Sequence, residues 1–139
     1  MQKLFTHLFT DSIDQMEANT LDLYMSCYAH AAYHEAGTQQ EIIGVFNVIR
    51  NRVKSKKYGN DPCEVVYANG QFQGVTDANH EEVDQKRYLQ IKYTAIDAVY
   101  FNKIKNPIGN KLHFYDDSID TPAGWKNCNI KIGRLVFCD

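Results

Sequence analysis

Apolar residues at helical spacing between residues 21 and 36 predict the first helix of this chain. Thr20 is a suitable N-cap, and Gly37 is a natural stop because glycine adopts a positive φ at little cost. Residues on the apolar side include Leu21, Met25, Tyr28 and Ala32. We therefore expect an amphipathic helix that ends at residue 36.

A second helix is predicted to begin directly after this break. Thr38 and Glu41 have the spacing of a capping box, in which the hydroxyl and the carboxylate each satisfy a backbone amide at a helix start. The apolar positions then follow one stripe as far as about Val53. Glu41 thus has a predicted structural role.

Two further helices are predicted in the middle of the chain. Asp61 and Pro62 resemble an N-cap followed by proline at the first helical position, and Gly70 would end this short helix. A polar connection over residues 71–82 has the composition and length of a functional loop. Helical periodicity returns over residues 83–102.

The C-terminal part of the chain has strand character instead. Residues 111–115 and 130–138 predict short strands, the second segment forming a hairpin around Gly133 and Arg134. The sequence therefore predicts a small α+β fold, mostly helical, with a short C-terminal β-hairpin. We expect an N-terminal segment over residues 1–20 and one catalytic domain over residues 21–139.

Charge and composition exclude several classes of protein. A formal net charge of −2 without a clustered basic face argues against nucleic-acid binding, and no apolar stretch is long enough to insert into a membrane. The N-terminal segment lacks the pattern of a signal peptide. For a chain without an export signal we expect free buried thiols, although the even number permits two disulfides among Cys27, Cys63, Cys128 and Cys138.

Glu35 is the candidate for catalysis. It lies in the last turn of the first predicted helix, where partial burial and the negative end of the helix dipole both favour a protonated carboxyl. Glu41 is already assigned to the capping box, so Glu35 is the better acid. We expect Glu41→Gln to retain the capping hydrogen bond and to cost little activity.

Aromatic and amide side chains form a second group of candidates. Sugars have apolar faces rimmed by hydroxyls, so a carbohydrate groove combines aromatic platforms with polar partners. The candidates for substrate binding are Gln71, Phe72, His113, Tyr115 and Trp125. Of these, we expect Tyr115 to form a hydrogen bond near the reacting sugar.

A metal site is a weaker alternative. His30 and His34 are one helical turn apart and could bind zinc with His80 or His113 as a third ligand. However, the common peptidase motif places glutamate after the first histidine, whereas Glu35 follows the second. We therefore predict no metal and no cofactor.

Taken together, these segments resemble the SleB-type cell-wall hydrolase family, which includes spore-cortex-lytic enzymes and phage relatives. The resemblance covers residues 23–137. The matching segments follow the order of the family: Glu35-Ala36-Gly37, Val48-Ile49-Arg50-Asn51-Arg52-Val53, Gln71-Phe72, residues 112–115, Trp125, and Ile130-Lys131-Ile132-Gly133-Arg134-Leu135-Val136-Phe137.

The resemblance implies a lysozyme-like fold related to lytic transglycosylases. It also implies cleavage of the β-1,4 bond between N-acetylmuramic acid and N-acetylglucosamine in peptidoglycan, with Glu35 as the catalytic residue. A lytic transglycosylase needs one carboxyl that acts as acid and then as base. Without a signal peptide, the protein would reach the wall by release at phage lysis or by carriage in a virion.

Three alternatives to the transglycosylase follow from the same residues. A muramidase would need a second carboxylate, for which Asp116 or Asp117 could serve. A zinc peptidase would use His30 and His34. A non-catalytic glycan-binding or virion module would keep the fold without the activity.

Overall fold

A computed structural model of the chain describes residues 2–68, 72 and 84–139, and for residues 2–14 and 16 it describes the backbone alone. The helices are α1 (Gln2–Glu35), α2 (Gln39–Ser55), α3 (Pro62–Tyr67) and α4 (Gln85–Ala95), which continues as a π-helical turn over Ile96–Tyr100. The strands are β1 (His113–Asp116), β2 (Ile130–Ile132) and β3 (Leu135–Cys138). The predicted α+β class with a C-terminal hairpin is confirmed.

Helix α1 is longer than the sequence pattern predicted. It begins at Gln2, so the prediction of a helix start capped by Thr20 was wrong. Residues 2–20 contain no glycine or proline, and nothing in this stretch forces the helix to stop. The predicted N-terminal segment and the beginning of the predicted catalytic domain therefore belong to one continuous helix.

The starts of the next two helices match the predicted caps. Thr38 and Glu41 form the capping box of α2: the Glu41 amide donates to Thr38 Oγ1 (3.2 Å), and the Thr38 amide donates to Glu41 Oε1 (2.8 Å). Asp61 caps α3 by accepting a hydrogen bond from the Glu64 amide. Gly70 and the predicted polar loop over residues 71–82, apart from residue 72, lie outside the described residues.

The small antiparallel sheet packs against α2. The strand order is β1-β3-β2, so the C-terminal strand lies in the centre. Phe137 of β3 is fully buried, and its ring lies so close to Gly44 of α2 that a Cβ there would be 2.5 Å from Phe137 Cζ. Helix α2 is thereby in close contact with the sheet that carries His113 and Tyr115.

Two disulfides correct the expectation of free thiols. Cys27 of α1 pairs with Cys63 of α3, and Cys128 pairs with Cys138 of β3. The Cα atoms of the two pairs are 5.2 Å and 4.1 Å apart. The expectation rested on the residue pattern of the N-terminal segment, which says nothing about which cysteines the fold brings together. Among the described residues, no helix has the length and hydropathy needed to cross a bilayer.

Candidate active site

A groove of about 620 Å³ opens between the end of α1 and the first strand of the sheet. The end of α1, the end of α2 with its following loop, β1 with its following loop, and β3 all contribute to its walls. The residues that line it are His34, Glu35, Arg52, Tyr58, His113, Phe114, Tyr115, Asp116, Ile119, Pro122, Trp125 and Leu135. The fold therefore brings Glu35, His113, Tyr115 and Trp125 together in one groove.

Glu35 is the last residue of α1 and is half-buried. The end of this helix is held by Arg87 of α4, whose guanidinium donates to the carbonyl oxygens of Tyr33 (2.9 Å) and Ala36 (2.7 Å). The same guanidinium lies 4.4 Å from the centre of the Tyr33 ring. Arg87 thus satisfies carbonyl groups that the helix end leaves without intrahelical partners, and it fixes the position of Glu35. Sequence reasoning missed Arg87 because its partners are more than fifty positions away.

Glu41 lies close by in sequence but has a different environment. Its side chain accepts hydrogen bonds from the backbone amides of Gly37 (3.0 Å), Thr38 (2.8 Å) and Arg134 (2.8 Å). Burial alone would raise the pKa of Glu41, but these hydrogen bonds outweigh it and hold the pKa below its ordinary value. Glu41 is therefore a charged structural residue that joins the start of α2 to the β2–β3 hairpin.

An aromatic cluster forms one wall of the groove. The rings of His113 and Trp125 are tilted against each other with centroids 4.9 Å apart, and the rings of Tyr115 and Trp125 form an edge-to-face pair with centroids 6.0 Å apart. The Tyr115 hydroxyl forms a hydrogen bond with Thr121 Oγ1 (2.7 Å). All three rings are half-buried. This combination of exposed ring surface and polar edges suits a sugar ring.

Phe72, another of the predicted substrate-binding residues, does not join this wall. Phe72 is only 1% exposed and packs against Phe114 with centroids 6.0 Å apart, so its ring is part of the core rather than the groove surface. Apolar burial explains this placement, since an aromatic residue in so small a domain is more often core than ligand. Gln71 lies outside the described residues.

Sequence reasoning also missed groove residues that polar contacts hold in place. Arg52 is only 4% exposed, and burial lowers its pKa to about 10, so the guanidinium stays charged at neutral pH. Tyr58 lines the same groove. Arg52 belongs to the Asn-Arg-Val segment that carried the family resemblance. That resemblance was the one feature of the sequence that could have indicated Arg52 as a groove residue.

The two acidic residues that follow Tyr115 differ in position. Asp116 lines the groove, and its carboxylate accepts from the Ser118 amide (2.9 Å) and from Arg134 (3.3 Å). The hydrogen bonds from Ser118 lower the pKa of Asp116, so it is charged at neutral pH. Asp117 instead forms an ion pair with Lys131 (3.0 Å) and is not among the residues that line the groove. Asp116 is therefore the better candidate for a second carboxylate.

The histidine pair of α1 has partners within the protein. His30 Nδ1 forms a hydrogen bond with the Tyr67 hydroxyl of α3 (2.7 Å), and the His30 and His34 rings are 5.1 Å apart. Within the described part of the chain, no group of three His, Cys, Asp or Glu side chains has the geometry to hold a metal ion. His80, one of the suggested third ligands, lies outside the described residues.

Comparisons with known proteins complete this description. A search of curated proteins gives no significant match. The crystal structure of the catalytic domain of the Bacillus cereus SleB protein has the same fold, with a TM-score of 0.65 and 23% sequence identity over 86% of this chain and 91% of that domain.

The family match comes from the sequence. The model of the family described as cell wall hydrolase matches residues 37–138, which is well over half of the chain. The match begins two positions after Glu35, so the case for that residue rests on its position in the structure. The chain belongs to the cell wall hydrolase family, as the resemblance to SleB-type proteins indicated.

Proposed function

We propose that this cell wall hydrolase cleaves the glycan strands of peptidoglycan as a lytic transglycosylase, with Glu35 as the catalytic acid and base. One observation carries the proposal: Glu35 closes α1 at the edge of the groove whose wall contains His113, Tyr115 and Trp125. A sugar ring on this wall would lie in the same groove as the carboxyl.

The reaction needs two proton transfers at the same carboxyl. Protonated Glu35 donates its proton to the glycosidic oxygen between N-acetylmuramic acid and N-acetylglucosamine as that bond breaks. The resulting carboxylate then takes the proton of the primary hydroxyl of the muramic acid, whose oxygen attacks the anomeric carbon and closes an anhydro ring. Both transfers take place at one carboxyl, so this reaction needs no second carboxylate.

A muramidase is the second candidate, and Asp116 is the observation that favours it. Its charged carboxylate lines the same groove as Glu35, as hydrolysis with two carboxylates requires. In that reaction water attacks the anomeric carbon and the product keeps a free reducing end. The two reactions therefore share Glu35 as the acid and differ in the group that attacks.

Mass spectrometry of digested peptidoglycan separates the two candidates. A transglycosylase releases muropeptides with an anhydro ring, whose mass is lower by one water than that of the hydrolysed product. If every product carries a reducing end, and Asp116→Asn removes the activity, the enzyme is a muramidase. If Asp116→Asn still yields anhydro products, Asp116 is not required for the chemistry.

The remaining alternatives have separate tests. Full activity after treatment with a chelator would eliminate a zinc peptidase that uses His30 and His34, whereas loss of activity with recovery on adding zinc would favour it. Binding to purified sacculi without release of soluble fragments would support a non-catalytic module. We further propose that the protein reaches the wall through phage lysis or in a virion, and immunodetection in purified virions and in the lysate tests that route.

A further inference from the structure

Arg52 is an almost fully buried arginine that reaches the groove from α2. Its Nε donates to the carbonyl oxygen of Leu112 (2.7 Å), and one terminal nitrogen lies 3.4 Å from His113 Nδ1. The guanidinium also lies 4.8 Å from the centre of the Tyr58 ring and 5.2 Å from that of Phe72. The guanidinium therefore lies over two aromatic rings, and its nitrogens contact the Leu112 carbonyl and the His113 imidazole.

These contacts determine the tautomer of His113. A guanidinium can only donate, so His113 Nδ1 must be the acceptor and carry no proton. The proton of the neutral ring is then on Nε2, which lies 3.3 Å from the Tyr58 hydroxyl oxygen and donates to it. Burial, together with the nearby charge of Arg52, lowers the pKa of His113 and favours the neutral ring.

The orientation of His113 affects the groove wall because the His113 ring packs against Trp125. The two rings are in contact, and both line the groove. If the imidazole turned over or gained a second proton, an N–H would face the Arg52 guanidinium and the ring would have to move. The Trp125 ring would then lose one of the two rings that pack against it.

We propose that Arg52 is a positioning residue, which fixes His113 as its neutral Nε2–H tautomer and thereby orients the His113–Trp125 pair to receive a sugar ring of the glycan strand. The inference rests on the proposed function, since it takes the aromatic wall as a sugar subsite. It assigns to Arg52 a role in substrate binding and not in the chemical step.

The neighbouring residue Asn51 provides a matched control. Its side-chain amide donates to the carbonyl oxygens of Gly109 (2.9 Å) and Lys111 (2.8 Å), so it anchors the same loop before β1 that Arg52 anchors at Leu112. Among the contacts described, Asn51 has none with His113. Loss of Asn51 therefore loosens the loop while the tautomer-setting contact stays in place.

The first measurement is the tautomer of His113 by nitrogen-detected NMR of the imidazole. In the wild-type protein at neutral pH we expect the Nε2–H form. Arg52→Lys keeps the charge but loses the planar fork that reaches both Leu112 and His113, so we expect a mixture of tautomers. Asn51→Ala should keep the Nε2–H form. An Nδ1–H ring in the wild-type protein would overturn the proposal. Because this measurement uses the wild-type protein, it does not depend on whether a variant folds.

The second measurement is the rate of solubilisation of purified sacculi at varied substrate concentration. We expect Arg52→Lys to raise the apparent KM by about tenfold with kcat nearly unchanged, because lost subsite contacts weaken binding without altering the chemical step. Asn51→Ala should lower the melting temperature and leave the KM close to that of the wild type. A wild-type KM and tautomer in a folded Arg52→Lys variant would overturn the role of Arg52. Full activity in Glu35→Gln would instead overturn the proposed function, so the two failures are distinguishable.

Discussion

Glu35 and Glu41 lie on either side of the break between α1 and α2, and they show how position decides what a carboxyl can do. Glu41 is buried, and both of its oxygens accept hydrogen bonds from backbone amides. Glu35 is half-buried at the helix C-terminus and lines the groove. The fold holds the Glu41 carboxyl in its charged form, whereas it places Glu35 among the residues that line the groove.

The local backbone is the reason for this difference. Helix N-termini offer free amides, which stabilise a carboxylate, whereas helix C-termini offer carbonyl oxygens, which do not. Glu41 follows the start of α2 and therefore meets amides, while Glu35 ends α1, where Arg87 caps the carbonyl oxygens of Tyr33 and Ala36. A catalytic acid must be able to hold and release a proton, and we propose Glu35 for this role because Glu41 is held as a carboxylate.

The largest expected effect is on activity. Glu35→Gln keeps the shape of the side chain but removes the transferable proton, so we expect solubilisation of sacculi to fall by about 10²- to 10⁴-fold. The melting temperature should change little. Glu17→Gln, on an exposed part of the same helix outside the groove, is the matched control and should retain full activity. Equal activity in both variants would remove Glu35 from the mechanism.

The second effect is on stability, and here the structure changes the expectation from sequence. In Glu41→Gln the amide nitrogen must replace one carboxylate oxygen, so an N–H donor would face another N–H, of Arg134 or of Gly37 and Thr38. Leaving a buried amide without an acceptor costs about 1–3 kcal/mol. Chemical denaturation should show this loss, while the activity per folded molecule stays near that of the wild type. An unchanged free energy of unfolding would mean that these hydrogen bonds contribute little.

A substitution at Gly133 tests the contact between the Glu41 carboxylate and the β2–β3 hairpin from the side of the hairpin. It has a φ of +57°, and a Cβ there would lie 2.7 Å from Glu41 Oε2. Gly109 has a similar φ of +60° but nothing within 4 Å of such a Cβ. We expect Gly109→Ala to cost only the backbone strain of about 1 kcal/mol, and Gly133→Ala to cost more because it also displaces the Glu41 carboxylate. Equal losses in denaturation would show that the carboxylate moves freely.

The smallest effect is the dependence of stability on pH. The pKa of Glu41 is below its ordinary value in the folded protein, so its contribution is complete above pH 4.5 and is lost as the pH falls through the folded value. The pKa of His113 is also lowered, mainly by burial, so folding favours its neutral form and stability declines as the pH falls below 6.5. Melting temperatures should therefore fall in two steps between pH 7 and pH 3. Glu41→Gln should make the lower step smaller but not abolish it, because the pKa values of Asp116 and Asp139 are also lowered in the folded protein. A melting temperature that rises on acidification would contradict both assignments.

The sequence predicted those parts of the fold that depend on neighbouring residues. The capping box of Thr38, the Asp61-Pro62 helix start and the hairpin around Gly133 each arise from residues within a few positions of one another. The position of Glu35 at a helix end was predicted in the same way. Local patterns are sufficient when the interaction itself is local.

The parts that sequence reasoning missed depend on contacts between distant positions. Arg87 caps α1 from α4, Arg52 contacts His113 from α2, and Cys27 pairs with Cys63 across two helices. Phe72 was predicted in the groove but lies in the core, because packing with Phe114 decides its exposure. Spacing along one chain carries no signal for such contacts, so they required the folded structure.

The most direct test of the central claim is the release of muropeptides from identical sacculi by the wild type, Glu35→Gln and Glu41→Gln, compared at equal concentrations of folded protein. The account predicts anhydro-muropeptides from the wild type and from Glu41→Gln at similar rates, and almost none from Glu35→Gln. Undiminished release from Glu35→Gln, or loss of release from fully folded Glu41→Gln alone, would contradict the assignment of Glu35 as the catalytic acid.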